Sequence, residues 1–191
     1  MRLSNDVIRI IPYEPQMHAA LVYSAYHSGD YEAFFGNGNM LTLQAASQIR
    51  NAYLVVNPRD AREIYGGIML TEIKERHRNL VFHGMLIKQY QKKGFAKSSL
   101  IMMVDYIMNQ MNYYKVICPI VGENEKAESV LVDVGFELEC TLKNEDYHDG
   151  AFHDVKRYSI VKGTFNRRHK KKVETESSEK GKGTCTVEAE A

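Results

Sequence analysis

One stretch constrains this chain more than any other: Leu86 to Lys97, Leu-Ile-Lys-Gln-Tyr-Gln-Lys-Lys-Gly-Phe-Ala-Lys. It follows an apolar run, Leu80 to Ile87, that reads as a buried strand. It leads into a pattern in which Leu100, Val104, Ile107, Met108 and Met111 recur at helix spacing. A strand therefore feeds a helix through a short basic turn. Gly94 and Ala96 keep that turn nearly free of side chains, so successive backbone N–H groups can point outward at the positive end of the helix. Lys92, Lys93 and Lys97 add charge there. Such a turn is an anion cradle, and its natural guest is a phosphate or pyrophosphate.

Two common nucleotide loops do not fit. A Walker loop needs Gly directly before Lys-Ser/Thr, whereas Ala96 precedes Lys97-Ser98 here; the dinucleotide fingerprint needs three glycines, and only Gly94 is present. What remains is Gln91-x-x-Gly94-x-Ala96, which resembles the pyrophosphate loop (Gln/Arg-x-x-Gly-x-Gly/Ala) of the GCN5-related N-acetyltransferase (GNAT) superfamily. Two further segments resemble that family. Asn124-Glu-Lys-Ala127-Glu-Ser-Val130-Leu131-Val-Asp-Val-Gly135-Phe136 is similar to its Asn-x-x-Ala-x-x-Leu-Tyr-x-x-x-Gly-Phe helix, and Gly150-Ala-Phe-His-Asp154-Val-Lys-Arg-Tyr158 to its closing strand. The three motifs stand in the family's order and at its spacing, over most of residues 7 to 162. His83 matches a histidine of similar small, often phage-encoded, members.

A chain of 191 residues with 44% hydrophobic content is one packed domain with room for a tail. No run approaches the roughly 18 apolar residues of a membrane span, and the N-terminus lacks the apolar core of a signal peptide. Cys118, Cys140 and Cys185 are odd in number without Cys-x-x-Cys spacing, which fits a reducing compartment and argues against a disulfide framework or a zinc site. The expected location is the cytoplasm, that of the host if the chain is phage-encoded, with no membrane partner. Net charge is +1, which makes no case for nucleic acid; residues 163–191 hold seven Lys/Arg and five Asp/Glu, leaving the body at −1. A monomer or homodimer is expected.

Along the chain, Val7 to Ile11 reads as a first strand, and Met17, Leu21, Val22 and Ala25 as one helix face. Tyr31, Phe34 and Phe35, set against two glycines, are read either as a wall of the acceptor pocket, as the resemblance implies, or as aromatics pinning a loop to the core. After a short polar helix, Thr42 to Arg50, come strands at Tyr53 to Val56, Ile64 to Ile73 and Leu80 to Ile87, and a fifth at Lys115 to Val121 despite Pro119. Glu125 to Val134 reads as a helix stopped by Gly135, followed by strands at Phe136 to Lys143 and Phe152 to Val161. The expected architecture is α/β: a mixed, mostly antiparallel sheet of about seven strands with helices on both faces, its fourth and fifth strands splayed as the resemblance implies. The domain is expected over 1–162, and 163–191, charged and without apolar periodicity, as a disordered tail.

The resemblance implies acetyl-CoA as cosubstrate, no metal, and direct attack of a primary amine, small molecule or protein, on the thioester. It implies that Leu86 and Lys88 bind pantetheine through backbone groups, that Gln91, Lys92, Lys93, Gly94, Phe95 and Ala96 hold the pyrophosphate with Lys97 adding charge, and that Asn124 touches the arm. An amine of pKa about 10.4 is only about one part in 2,500 neutral at pH 7, so a base must help it lose a proton. His83 and, second, Glu72 are the candidates; each is alternatively a structural residue. The family commonly places a tyrosine that protonates the thiolate where this chain has Leu131, which leaves Tyr158 or Tyr147 as substitute acids, or an unprotonated leaving group. The cluster His148, Asp149, His153 and Asp154 is read as turn chemistry rather than a metal site. A different class of function stays open: a CoA-binding module without turnover that acts through partner contacts.

Overall fold

The computed structural model describes residues 3–27, 42–148 and 150–169. Eight strands form one sheet: β1 (Leu3–Ser4), β2 (Arg9–Pro12), β3 (Ala52–Val56), β4 (Ile64–Lys74), β5 (Asn79–Leu86), β6 (Lys115–Val121), β7 (Glu137–His148) and β8 (Ala151–Val161). Their order is β1-β2-β3-β4-β5-β6-β8-β7. Every neighbouring pair is antiparallel except β5 and β6, which run parallel because a helix joins them. The strand beyond the expected seven is the two-residue β1, too short for a pattern to mark it.

Among the described residues the helices are α1 (Pro15–His27), α2 (Leu43–Gln48), α3 (Phe95–Asp105, continued by a π turn, Tyr106–Gln110) and α4 (Glu125–Val134). Residues 162–169 form α5. Thr42 caps α2 by accepting the Ala45 N–H at 3.0 Å, and Gly135, at φ +111°, ends α4 in the left-handed region. The sheet separates two cores. On one side Ala19, Val22 and Ala46 pack with Leu54, Val56 and Ile64. On the other, Leu100, Met103 and Val104 of α3 and Leu131 and Val134 of α4 pack with Leu70, Leu80 and Phe82. The helices thus lie on both faces of a mixed, mostly antiparallel sheet.

Two expectations fail here for physical reasons. Met17 and Leu21 are 66% and 41% exposed, while Ala19 and Val22 turn inward, so α1 docks by a narrow stripe in which a small residue replaces the expected large ones. The composition boundary at 162 also does not end the ordered chain. Helix α5 runs straight on from β8 and buries Phe165, 1% exposed, in the α3/α4 core. The His169 ring N–H donates to the Val134 carbonyl at 2.8 Å, and Asn166 accepts from Asn109 at 3.1 Å. One aromatic among cations is enough to dock this turn. Residues 170–191, and the aromatics Tyr31, Phe34 and Phe35, lie outside the described residues.

Candidate active site

Strands β5 and β6 pair only over Asn79↔Lys115, Leu80↔Val116 and Val81↔Ile117, although β5 continues to Leu86 and β6 to Val121. The two strands therefore part, and Pro119 lies two residues past the last paired position, where its missing N–H costs no β5 bond. The gap opens toward the carboxyl ends of both strands, where the chain continues to the N-termini of α3 and α4. Crevices of this kind, at the strand ends of an open sheet, are where α/β folds take ligands.

The turn after β5 has the geometry of an anion cradle. Residues Lys88–Tyr90 make one 3₁₀ turn, Lys92 stands at φ +62° and Gly94 at φ +80°. The first α-helical bond of α3 runs from Ser98 N–H to Gly94 O at 3.1 Å, so the N–H groups of Phe95, Ala96 and Lys97 have no acceptor within the helix. A Cβ on Gly94 would meet nothing within 4 Å. The glycine is thus required by its backbone angle, and the space above it is open for a ligand to approach. Leu86 is the last residue of β5, and Lys88 to Ala96 make the turn and the first residues of α3.

Some side chains are turned elsewhere. Lys97 reaches Asp133 of α4 at 3.0 Å, an exposed pair, instead of facing the turn. Gln91 Nε2 donates to the Leu86 carbonyl at 3.2 Å, tying the turn to the end of β5, and the Lys93 ammonium lies 5.3 Å from the centre of the Tyr90 ring. Asn124 caps α4 by accepting the Ala127 N–H at 3.1 Å, which leaves its amide donors for other use.

The remaining candidates fall on opposite faces of the sheet. His83 and Met85 alternate with Phe82, which belongs to the α3/α4 core, so His83 faces the α1/α2 side. Its Nε2 is 2.9 Å from Thr71 Oγ1. Burial holds its pKa below the ordinary imidazole value against the opposing pull of the Glu72 carboxylate, so the ring is neutral at pH 7. Glu72 sits in a bulge of β4 at φ +41°. It accepts from Arg157 at 3.3 Å and lies 3.5 Å from Lys74 Nζ, so two cations already neutralise it. Of the two base candidates, His83 alone is an uncharged acceptor.

Tyr158 is on the α4 side, 6% exposed, opposite Cys118 in the β6–β8 ladder and so level with the point where β5 leaves β6. Its hydroxyl donates to Glu128 Oε2 at 2.5 Å, and Lys156 reaches Oε1 of the same carboxylate at 2.8 Å. The hydrogen bond to Glu128 is the largest cause holding the phenol above its ordinary pKa, with burial second. Leu131, one turn beyond Glu128 on α4, is 5% exposed and packed in the core. Tyr147, the other acid candidate, is 61% exposed and meets the Phe152 ring at a tilt of 57° near the far end of the hairpin. It pairs six β8 residues from Tyr158, about 20 Å at strand rise, which removes it from the site. Burial also pushes the Cys118 thiol far above its usual range, so this thiol stays protonated and is a poor nucleophile.

In the second hairpin Asp154 of β8 binds Lys143 at 2.7 Å and accepts the Asn144 N–H at 3.1 Å, where the register of β7 shifts. Asp149 and the His148 side chain lie outside the described residues. Sequence reasoning missed Thr71, Glu128, Lys156 and Arg157. Each is an ordinary surface residue by pattern and joins the site only through strand register.

The sequence profile of the acetyltransferase (GNAT) domain matches residues 8–137. The chain is 21% identical over 155 residues to the uncharacterized N-acetyltransferase YoaA of Bacillus subtilis, across 75% of this chain and 88% of that one. It is 28% identical over 140 residues to the spermidine N(1)-acetyltransferase of Escherichia coli, across 73% and 74%. Among solved structures, a dodecameric spermidine N-acetyltransferase from Vibrio cholerae superposes with a TM-score of 0.72 at 20% identity, over 86% of this chain and 99% of that one.

Proposed function

The chain belongs to the GNAT acetyltransferase family and is an N-acetyltransferase, and from that premise we propose that it carries the acetyl group of acetyl-CoA directly to a small primary amine. The observation that carries the donor is the open crevice between β5 and β6, ending at the unpaired N–H groups of Phe95, Ala96 and Lys97 beneath Gly94. These groups suit a pyrophosphate in charge, direction and access.

In this reading the separated edges of β5 and β6 accept the pantetheine arm, with Leu86 and Lys88 offering backbone groups and Asn124 its amide from the α4 side. Residues Gln91 to Ala96 hold the pyrophosphate. Neutral His83 takes a proton from the acceptor amine, whose nitrogen then attacks the thioester carbonyl; the C–S bond breaks and the sulfur leaves toward the face of Tyr158. The buried, protonated state of Cys118 favours this direct transfer over a cysteine-bound acetyl group. Glu72 is held by Arg157 and serves the charge balance of that face better than it serves as base. The reaction belongs in the cytoplasm, where Cys118 and Cys140 remain free thiols. Spermidine, the substrate naming two of the proteins compared above, heads the list of acceptors to test.

One observation favours a second reading. Leu131 occupies the position where the resembled family commonly has its acid, and a leucine donates no proton, so a CoA-binding module acting through partners is the alternative. Calorimetry with CoA and release of free thiol from acetyl-CoA with a panel of small amines separate the two. Binding together with amine-dependent thiol release is expected, and Gly94→Glu should abolish both by setting a carboxylate against the pyrophosphate. Binding without turnover on any amine would favour the module, and absence of binding by the wild type would overturn both readings.

A further inference from the structure

The turn that forms the cradle takes positive φ at Lys92 and Gly94, and it is bracketed by a compact aromatic assembly. Tyr65 is its centre. In the β3–β4 ladder Val55 faces Gly66 and Val56 faces Ile64, so Tyr65 is the extra residue of a β-bulge, and a bulge re-aims the side chain it carries. The Tyr65 ring, 7% exposed, stacks on Phe95 with centroids 4.6 Å apart and planes 13° from parallel. It also meets the Tyr90 ring at 4.6 Å, tilted by 44°. Its carbonyl accepts the Ile87 N–H at 2.9 Å. One bulged residue thus grips the chain at 87, 90 and 95, before and after the turn.

A second contact closes the assembly. The Tyr90 hydroxyl donates to Glu63 Oε1 at 3.0 Å, while the other oxygen of that carboxylate accepts from Asn57 at 2.6 Å. Glu63 therefore links the β3–β4 turn to the cradle. The neighbouring glycine is fixed by the same geometry: a Cβ on Gly66 would lie 2.0 Å from the Met85 carbonyl oxygen, so β4 and β5 approach closely enough there only without a side chain. Tyr65 belongs to the α3/α4 core and Tyr90 and Phe95 pack against it, so the assembly anchors to that core the chain on either side of the four exposed residues 91–94.

We propose that Tyr65, Tyr90 and Glu63 are positioning residues that hold the 91–94 turn preformed for the diphosphate of the cosubstrate, through the ring stack on Phe95 and the Tyr90–Glu63 hydrogen bond. This rests on the acetyl-CoA reading above. Preforming the turn lowers the ordering cost of binding, so its loss weakens affinity without touching the reacting atoms. Tyr90→Phe keeps the ring and removes only the hydroxyl; Glu63→Gln keeps an oxygen able to accept from Tyr90, and Glu63→Ala removes it.

The test is CoA binding by calorimetry at a temperature well below melting, together with amide hydrogen exchange over residues 88–97. Tyr90→Phe and Glu63→Ala should weaken CoA binding about tenfold and speed exchange in the turn, with Glu63→Gln close to the wild type. In steady-state assays the same variants should raise KM for acetyl-CoA and leave kcat nearly unchanged. If Tyr90→Phe and Glu63→Ala bind CoA as the wild type does, or lose stability without faster exchange in the turn, these residues are structural and the inference is wrong. No binding by the wild type removes the acetyl-CoA reading itself, and this inference with it.

Discussion

His83 and Thr71 are diagonal neighbours across the β4–β5 hairpin with Nε2 and Oγ1 2.9 Å apart, which limits what the imidazole can do. If Nε2–H donates to the threonine, Nδ1 keeps its lone pair for the acceptor amine; the reverse tautomer spends the Nε2 lone pair on Thr71. The base role proposed for His83 requires the first. His83→Ala should lower turnover by about 10², as expected for loss of a general base, and Thr71→Val should lower it less, by releasing the ring without removing it. Intact turnover in His83→Ala across pH 6 to 9 would make His83 a structural residue.

The same burial gives His83 a signature in stability. Its folded pKa lies below the ordinary value of about 6.5, so on acidification the unfolded chain takes up this proton first. Stability from the neutral ring is complete above about pH 6.5 and is lost as pH falls through the lower folded value. Melting temperatures from pH 8 to 5 should fall more steeply for the wild type than for His83→Gln. Parallel curves would show that the ring protonates equally well folded and unfolded.

Helix α5 makes the C-terminal boundary measurable. Composition alone sets the end of the domain at 162, but Phe165 is 1% exposed against α3 and α4. A chain ending at Lys162 loses that side chain, and Phe165→Ala should cost about 3–5 kcal/mol. A chain ending at His169 should melt close to the full-length protein, because residues 170–191 offer little apolar surface. A large drop for the His169 truncation would mean that the charged segment docks on the body.

The contrast between α3 and α5 explains what a sequence of this kind discloses. The strand, basic turn and helix around Gly94 are local, and glycine with a 3.6-residue period is enough to read them. The Tyr158–Glu128, Tyr90–Glu63 and Arg157–Glu72 contacts join residues 30, 27 and 85 positions apart. They depend on the order of the strands and on where α4 and the turn after β5 land against the sheet, and no periodicity carries that information. The inner face of α1 differs from its pattern for a smaller reason: Ala19 is buried yet weighs little in a hydrophobic pattern, whereas exposed Met17 weighs much. Phe165 was hidden by the arginines beside it.

The acid of the reaction is the last point that experiment can decide. Leu131 is packed into the core, so Leu131→Tyr should overpack it and cost about 1–3 kcal/mol of stability, yet it should not lower turnover below the melting range. Tyr158 is the hydroxyl level with the strand parting, but its proton is directed at Glu128, and that bond holds the phenol above its ordinary pKa. To protonate the departing sulfur it must leave Glu128, whose charge Lys156 then balances alone. A thiol of pKa near 8.5 is already a fair leaving group at neutral pH, so the help needed is small. Tyr158→Phe should accordingly lower kcat by only about tenfold while CoA binding stays intact. If kcat is unchanged, the thiolate leaves unprotonated and Tyr158 serves only to hold Glu128 on α4 against β8.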